Sequence, residues 1–162
     1  MVFLQAIFGP DIRILPVLCG SFWRGAQLGG LPEKDDHVKR FFAALGEIAE
    51  REKGRLFWVL GVDMAHMGQR YGDNFAAQAD RDEMALVRER DMLRIERINA
   101  SDARGFWDLV KENGDDLKWC GTSPFYTFIK AMPHASGTTQ RYEQWNIDER
   151  SVVSFAGISF TS

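Results

Sequence analysis

The stretch Arg55 to Gly68, RLFWVLGVDMAHMG, decides the fold class. Its first part is a continuous apolar run, ended by an aspartate and, three residues later, by one of only three histidines in the chain. A short run of this kind, rich in aromatic and branched side chains and without polar alternation, predicts a strand over 55–62 buried on both faces. A second such run, IRILPVLC at 12–19, lies between Pro10-Asp11 and Gly20, with Pro16 as its awkward member. Between the two, Ser21 to Leu31 reads as a Gly-rich loop. Pro32-Glu33 then opens an amphipathic helix with Val38, Phe41, Phe42, Leu45 and Ile48 at helical spacing, stopped by Gly54.

Downstream, Gly68 to Asn74 reads as loop. A charge-rich helix follows from about Ala79 to Asn99, with Met84, Val87, Met92, Ile95 and Ile98 on one side. Ser101 is placed to cap a helix running through Phe106, Leu109 and Val110 to Gly114. Ser123-Pro124 reads as an N-cap and first-turn proline for a helix through Phe128 and Met132. Thr139 to Ile147 and Val152 to Phe160 predict an antiparallel pair joined by Asp148-Glu149-Arg150. The order β-α-β-α-α-α-β-β predicts one α/β domain over residues 1–162, with three layers and helices on both faces of a mixed sheet.

The 162 residues, 45% hydrophobic and 27% charged, suit a single soluble globular domain. A net charge of -3 with mixed signs argues against nucleic acid as a partner. The apolar opening is interrupted by Pro10, Asp11 and Arg13 before it could span a bilayer, and it lacks the basic start of a signal peptide. Cys19 and Cys120 make no disulfide framework, so a cytoplasmic location and no membrane association are expected.

Ligands of open α/β sheets gather beyond the C-terminal ends of strands, where Asp63 and His66 fall. His66 could ligate a metal or move a proton, with Asp63 orienting it; equally, Asp63 could cap the turn while His66 packs beneath the loop. Cys120 precedes a predicted helix start whose positive end would favour its thiolate, and Gly121 lets other groups approach; the alternative is an inert buried thiol. Arg70 could bind an anion or be merely solvated. Cys19 reads as core, and His37 and His134 as surface residues. No phosphate loop, CxxC, HExxH or GxSxG is present, and no catalytic residue is assigned.

The segments PVLCGSF at 16–22, VDMAHMGQRYGD at 62–73, CGTSPFYTFI at 120–129 and SVVSFAGISF at 151–160 together resemble the Memo family over nearly the whole chain. The resemblance implies an α/β fold like that of class III extradiol dioxygenases. It also implies a pocket lined by histidines and a cysteine, linked to metal binding and copper-dependent redox chemistry. Animal members are described as recognising phosphotyrosine motifs. By position, Asp63, His66 and Cys120 match the family's pocket residues, with His66 and Cys120 as ligands for copper, iron or zinc. The family's earlier pocket histidines have no counterpart here, and the chain looks like the C-terminal portion of the fold without its N-terminal strands. A sheet of that kind exposes an edge and an apolar face, which predicts self-association or a partner chain supplying the missing half. Three functions stay open: a metal-binding or redox protein; a non-catalytic module holding a peptide, small molecule or small anion in the same pocket; or a remnant that needs a partner. Ring cleavage is the least expected, because it needs a three-ligand iron site.

Overall fold

In a computed structural model, which describes residues 2–22 and 29–161, the sheet is built around a long hairpin. β2 (Ser136–Asp148) and β3 (Ser151–Thr161) pair antiparallel, with Tyr142 opposite Ala156 and Trp145 opposite Val153. The expected hairpin is present, with longer strands than the alternation indicated. β1 (His66–Gly68) adds to the other edge of β3, again antiparallel, giving the order β1-β3-β2. Ser151 to Ser154 are therefore flanked on both sides, and all four are buried. Gly68 faces Ser151 at φ +103, and a Cβ there would run into the Arg150 carbonyl and Ser151 backbone, so glycine is required at this crossing.

Among the described residues, five α-helices accompany the sheet. α1 (Val2–Phe8) buries nothing. α2 (Asp36–Arg51) follows a 3-10 turn at Pro32–Lys34, and the Asp35 carboxylate caps it by accepting from the His37 and Val38 amides. Of its predicted stripe, Phe42 and Leu45 are buried whereas Phe41 is partly exposed. α3 (Glu83–Asn99) starts later than expected. Its buried stripe, Met84, Val87, Asp91, Arg94, Ile95 and Ile98, includes two charges the sequence reading did not place there. α4 (Ala103–Glu112) is capped by Asp102 rather than Ser101, because the Asp102 carboxylate reaches the Gly105 amide while Ser101 donates to Ala135 O. α5 (Thr122–Ala131) begins ahead of the expected Ser123 cap. Gly121 is its N-cap, and the Ser123 hydroxyl accepts instead from the Phe22 amide. Phe106, Trp107, Tyr126, Ile129 and Val152 join the α3 stripe in one core.

The two apolar runs depart most from expectation. Residues 12–19 and 55–62 are not strands: neither forms a ladder with any described residue. One side of the second run does pack inward, Trp58, Leu60 and Val62 lying against the core and the Trp58 ring 5.7 Å from that of Phe128. The other side is bare, with Phe57 72% and Val59 54% exposed; Leu18 of the first run is 98% exposed. The chain is α/β as expected, but the mixed sheet is not assembled. Every ladder formed among the described residues is antiparallel, because these two runs find no neighbouring strand. No described helix is long and apolar enough to cross a membrane.

Candidate functional site

Asp63 ends the second apolar run, and the chain then enters the sheet. The Met64 amide donates to Ser154 O at 2.9 Å, the Ala65 amide to Ser154 Oγ at 2.8 Å, and the Ser154 amide returns to Ala65 O at 3.0 Å. On the opposite side the segment before α5 runs alongside. His66 N donates to Leu117 O at 2.9 Å and Gly121 N to Asp63 O at 3.0 Å. A Cβ on Gly121 would come within 2.8 Å of Asp63 O and press on the Phe125 ring, so the approach expected of this glycine is realised.

These links bring Asp63, His66 and Cys120 together, with one donor atom from each within 4.8 Å of the others. The Cys120 sulfur receives the Asp63 amide at 3.2 Å and lies 3.3 Å from Asp63 O. The His66 Nδ1 has two carbonyl partners, Met64 O at 3.0 Å and Lys118 O at 3.1 Å. Two acceptors at Nδ1 assign it the hydrogen in the neutral ring and leave the lone pair on Nε2. Tyr71 packs edge-to-face on the imidazole, ring centres 4.9 Å apart. His66 Nε2 is 3.9 Å from Asp63 Oδ2, too far for a hydrogen bond but within about half an ångström of the ~3.4 Å that separates nitrogen and oxygen ligands on a tetrahedral ion. The three side chains thus form a candidate metal-binding group, in which the Asp63 carboxylate stands beside the imidazole and thiol read from sequence.

The expected thiolate is not favoured. Enclosure of the sulfur pushes the Cys120 thiol up; the Asp63 amide pulls it back and the Asp63 charge pushes it further up. Of the helix's first-turn amides, Thr122 N is already on Trp119 O at 3.3 Å and Pro124 has no N–H to offer. A metal binding here would displace a proton.

Arg70 is not drawn into the cluster. Its amide donates to Ser151 Oγ at 3.1 Å, and its exposed guanidinium has no hydrogen-bond or ion-pair partner among the described residues. His37 and His134 are exposed, as expected. Cys19 is partly buried, its thiol 3.7 Å from Thr127 Oγ1, and it lines a cavity of about 300 Å³ together with Cys120, Trp107, Trp119 and Thr122.

Sequence reasoning missed the polar layer beneath. Asp73 accepts from the Gly68 amide at 2.8 Å and pairs with Lys118 Nζ at 2.7 Å, tying the loop after β1 to the Cys120 segment. Asp91 accepts from Trp119, Tyr142 and Ser154 inside the core. Burial pushes its carboxyl up, and these bonds with the Arg94 charge only partly pull it back. The signal was available: a carboxylate at helical spacing within the stripe 84, 87, 91, 95, 98. No curated protein matches this sequence. A family model described as Memo-like protein matches residues 1–159, and the chain belongs to the Memo-like family.

Proposed function

We propose that the chain is a metal-binding protein of the Memo type, with Asp63, His66 and Cys120 as its ligand set. The observation that supports this reading is the convergence of a carboxylate oxygen, an imidazole nitrogen and a sulfur within 4.8 Å. Such a mixed set suits zinc, copper or iron. Three protein ligands leave the open position that substrate-binding sites keep. A bound ion would supply Lewis acidity, and copper or iron also redox chemistry. The chain's own residues do the positioning: the Met64 and Lys118 carbonyls orient the imidazole, Tyr71 limits its rotation, and the Asp63 amide stabilises negative charge on sulfur. Calorimetric titration with zinc tests the reading. Cys120→Ala and His66→Ala are each expected to abolish uptake with circular dichroism unchanged, and undiminished uptake in either variant removes that residue from the site. The competing reading, a small-anion or phosphopeptide module, rests on the exposed guanidinium of Arg70, four residues after His66. Salt-sensitive phosphopeptide binding lost in Arg70→Ala, with no metal uptake, would favour it.

A second reading concerns assembly. The bare backbone and apolar side chains of residues 12–19 and 55–62 support pairing with extended segments of another chain, in the first instance a second copy. Size-exclusion chromatography with light scattering is expected to show species larger than the 18.5 kDa monomer; a monomer at high concentration would reject this reading.

A further inference from the structure

The two segments that carry the site converge on one buried carboxylate. Asp91, in the middle of α3, is 0% exposed. Its Oδ1 accepts the Trp119 indole N–H at 2.8 Å, and Trp119 immediately precedes Cys120. Its Oδ2 accepts the Ser154 hydroxyl at 2.6 Å, and that hydroxyl in turn accepts the amide of Ala65, immediately before His66. The Tyr142 hydroxyl also donates to Oδ2, at 2.7 Å, while receiving the Gln144 side-chain amide at 3.0 Å. The indole direction is fixed, and the simplest hydrogen inventory points both hydroxyls the same way. An indole can only donate, and an oxygen that already receives an amide N–H turns its own hydrogen outward. An ionised carboxylate is the acceptor-only group that satisfies all three donors at once. An apolar residue at this stripe position would complete the core but leave every one of them unpaired.

We propose that Asp91 is a positioning residue for the candidate site, setting Cys120 against His66 by holding Trp119 on one carboxylate oxygen and Ser154 on the other. Its purpose rests on the metal-binding reading above, but the arrangement can be tested without a metal. In a Cys19→Ala background Cys120 is the sole thiol, so its alkylation rate by iodoacetamide reports the local geometry; zinc affinity is the second readout. Asp91→Asn replaces one acceptor oxygen by an NH2; set against Trp119 it breaks that arm, and set against Ser154 and Tyr142 it forces a hydroxyl to turn round. Ser154→Ala cuts one arm with little change in volume, and Trp119→Phe cuts the other while also leaving a void in the core. Tyr142→Phe removes a bond to the same carboxylate; its hydroxyl also lies against that of Ser154 but links to neither Trp119 nor the Ala65 amide.

The arm variants are expected to change the Cys120 alkylation rate by about tenfold and to weaken zinc binding by a similar factor, whereas Tyr142→Phe leaves both unchanged. Arm variants with native circular dichroism that match Tyr142→Phe in both readouts would overturn the proposal. Should Asp91→Asn fail to fold, Trp119→Phe and Ser154→Ala decide it. Should the wild-type chain take up no zinc, the metal-binding reading fails, and the alkylation rates still decide the role of Asp91.

Discussion

The start of β3 and the run before Asp63 carry apolar sequence that the molecule treats in opposite ways. Ser151 to Ser154, half of them hydroxyl residues, lie fully inside between β1 and β2. Leu56 to Leu60, LFWVL, is far more apolar, yet its backbone forms no ladder with any described residue and it leaves Phe57 and Val59 largely in solvent. Hydropathy states what a segment gains from burial; whether it is buried depends on neighbours for its backbone and a layer over its outer face. The well-covered region is also where most buried polar groups find partners, Arg94 Nη2, Asn99 Oδ1 and Thr122 Oγ1 excepted, and the site lies along the seam between the two.

Variants can sharpen this contrast. The largest effect is expected for Asp91→Ala, which strands three buried donors and is expected to cost about 4 kcal/mol, read as a lowered urea midpoint. Ile98→Ala, in the same covered region, is expected to cost about 3 kcal/mol, against less than ~0.5 kcal/mol for Val59→Ala in the bare run. Equal losses at these two positions would show that the outer face of residues 55–62 is covered in solution.

Glu33 gives a pH-dependent test at the edge of the core. Burial alone pushes its carboxyl up, but hydrogen bonds from Tyr126 at 2.7 Å and Lys130 at 2.9 Å, with the Lys130 charge, bring it below the ordinary glutamate value. A depressed folded-state pKa adds stability that is fully present above the unfolded value and is lost as pH falls through the folded one. Glu33→Gln is expected to cost about 1 kcal/mol at neutral pH, with the gap to wild type closing on acidification; a constant gap would place the loss in packing instead. The smallest stability change is expected for Leu18→Ser and Phe57→Ser, which should leave the urea midpoint in place while lowering the mass seen by light scattering.

The local elements were largely legible in the sequence. Helical periodicity located α2 to α5, and alternation located the β2–β3 hairpin, because those signals arise from contacts the chain makes with itself. Caps were less so: Ser101 and Ser123 resemble N-caps, but competing hydroxyl partners, Ala135 O and the Phe22 amide, draw them away. The strands expected at 12–19 and 55–62 failed for a different reason. Their composition was read correctly, but a ladder needs a second strand, which composition does not report. Asp63, His66 and Cys120 could be singled out by type and position; that their donor atoms lie within 4.8 Å of one another depends on the close passage at Gly121, which only the fold reveals.

The most direct test of the three-residue site is cobalt(II) substitution followed by absorption spectroscopy. One equivalent of cobalt is expected to give a thiolate-to-cobalt charge-transfer band together with the intense visible bands of a tetrahedral ion, both lost in Cys120→Ala. Cobalt that binds without the charge-transfer band, or a band that persists in Cys120→Ala, would contradict the assignment of Cys120, and with it the site.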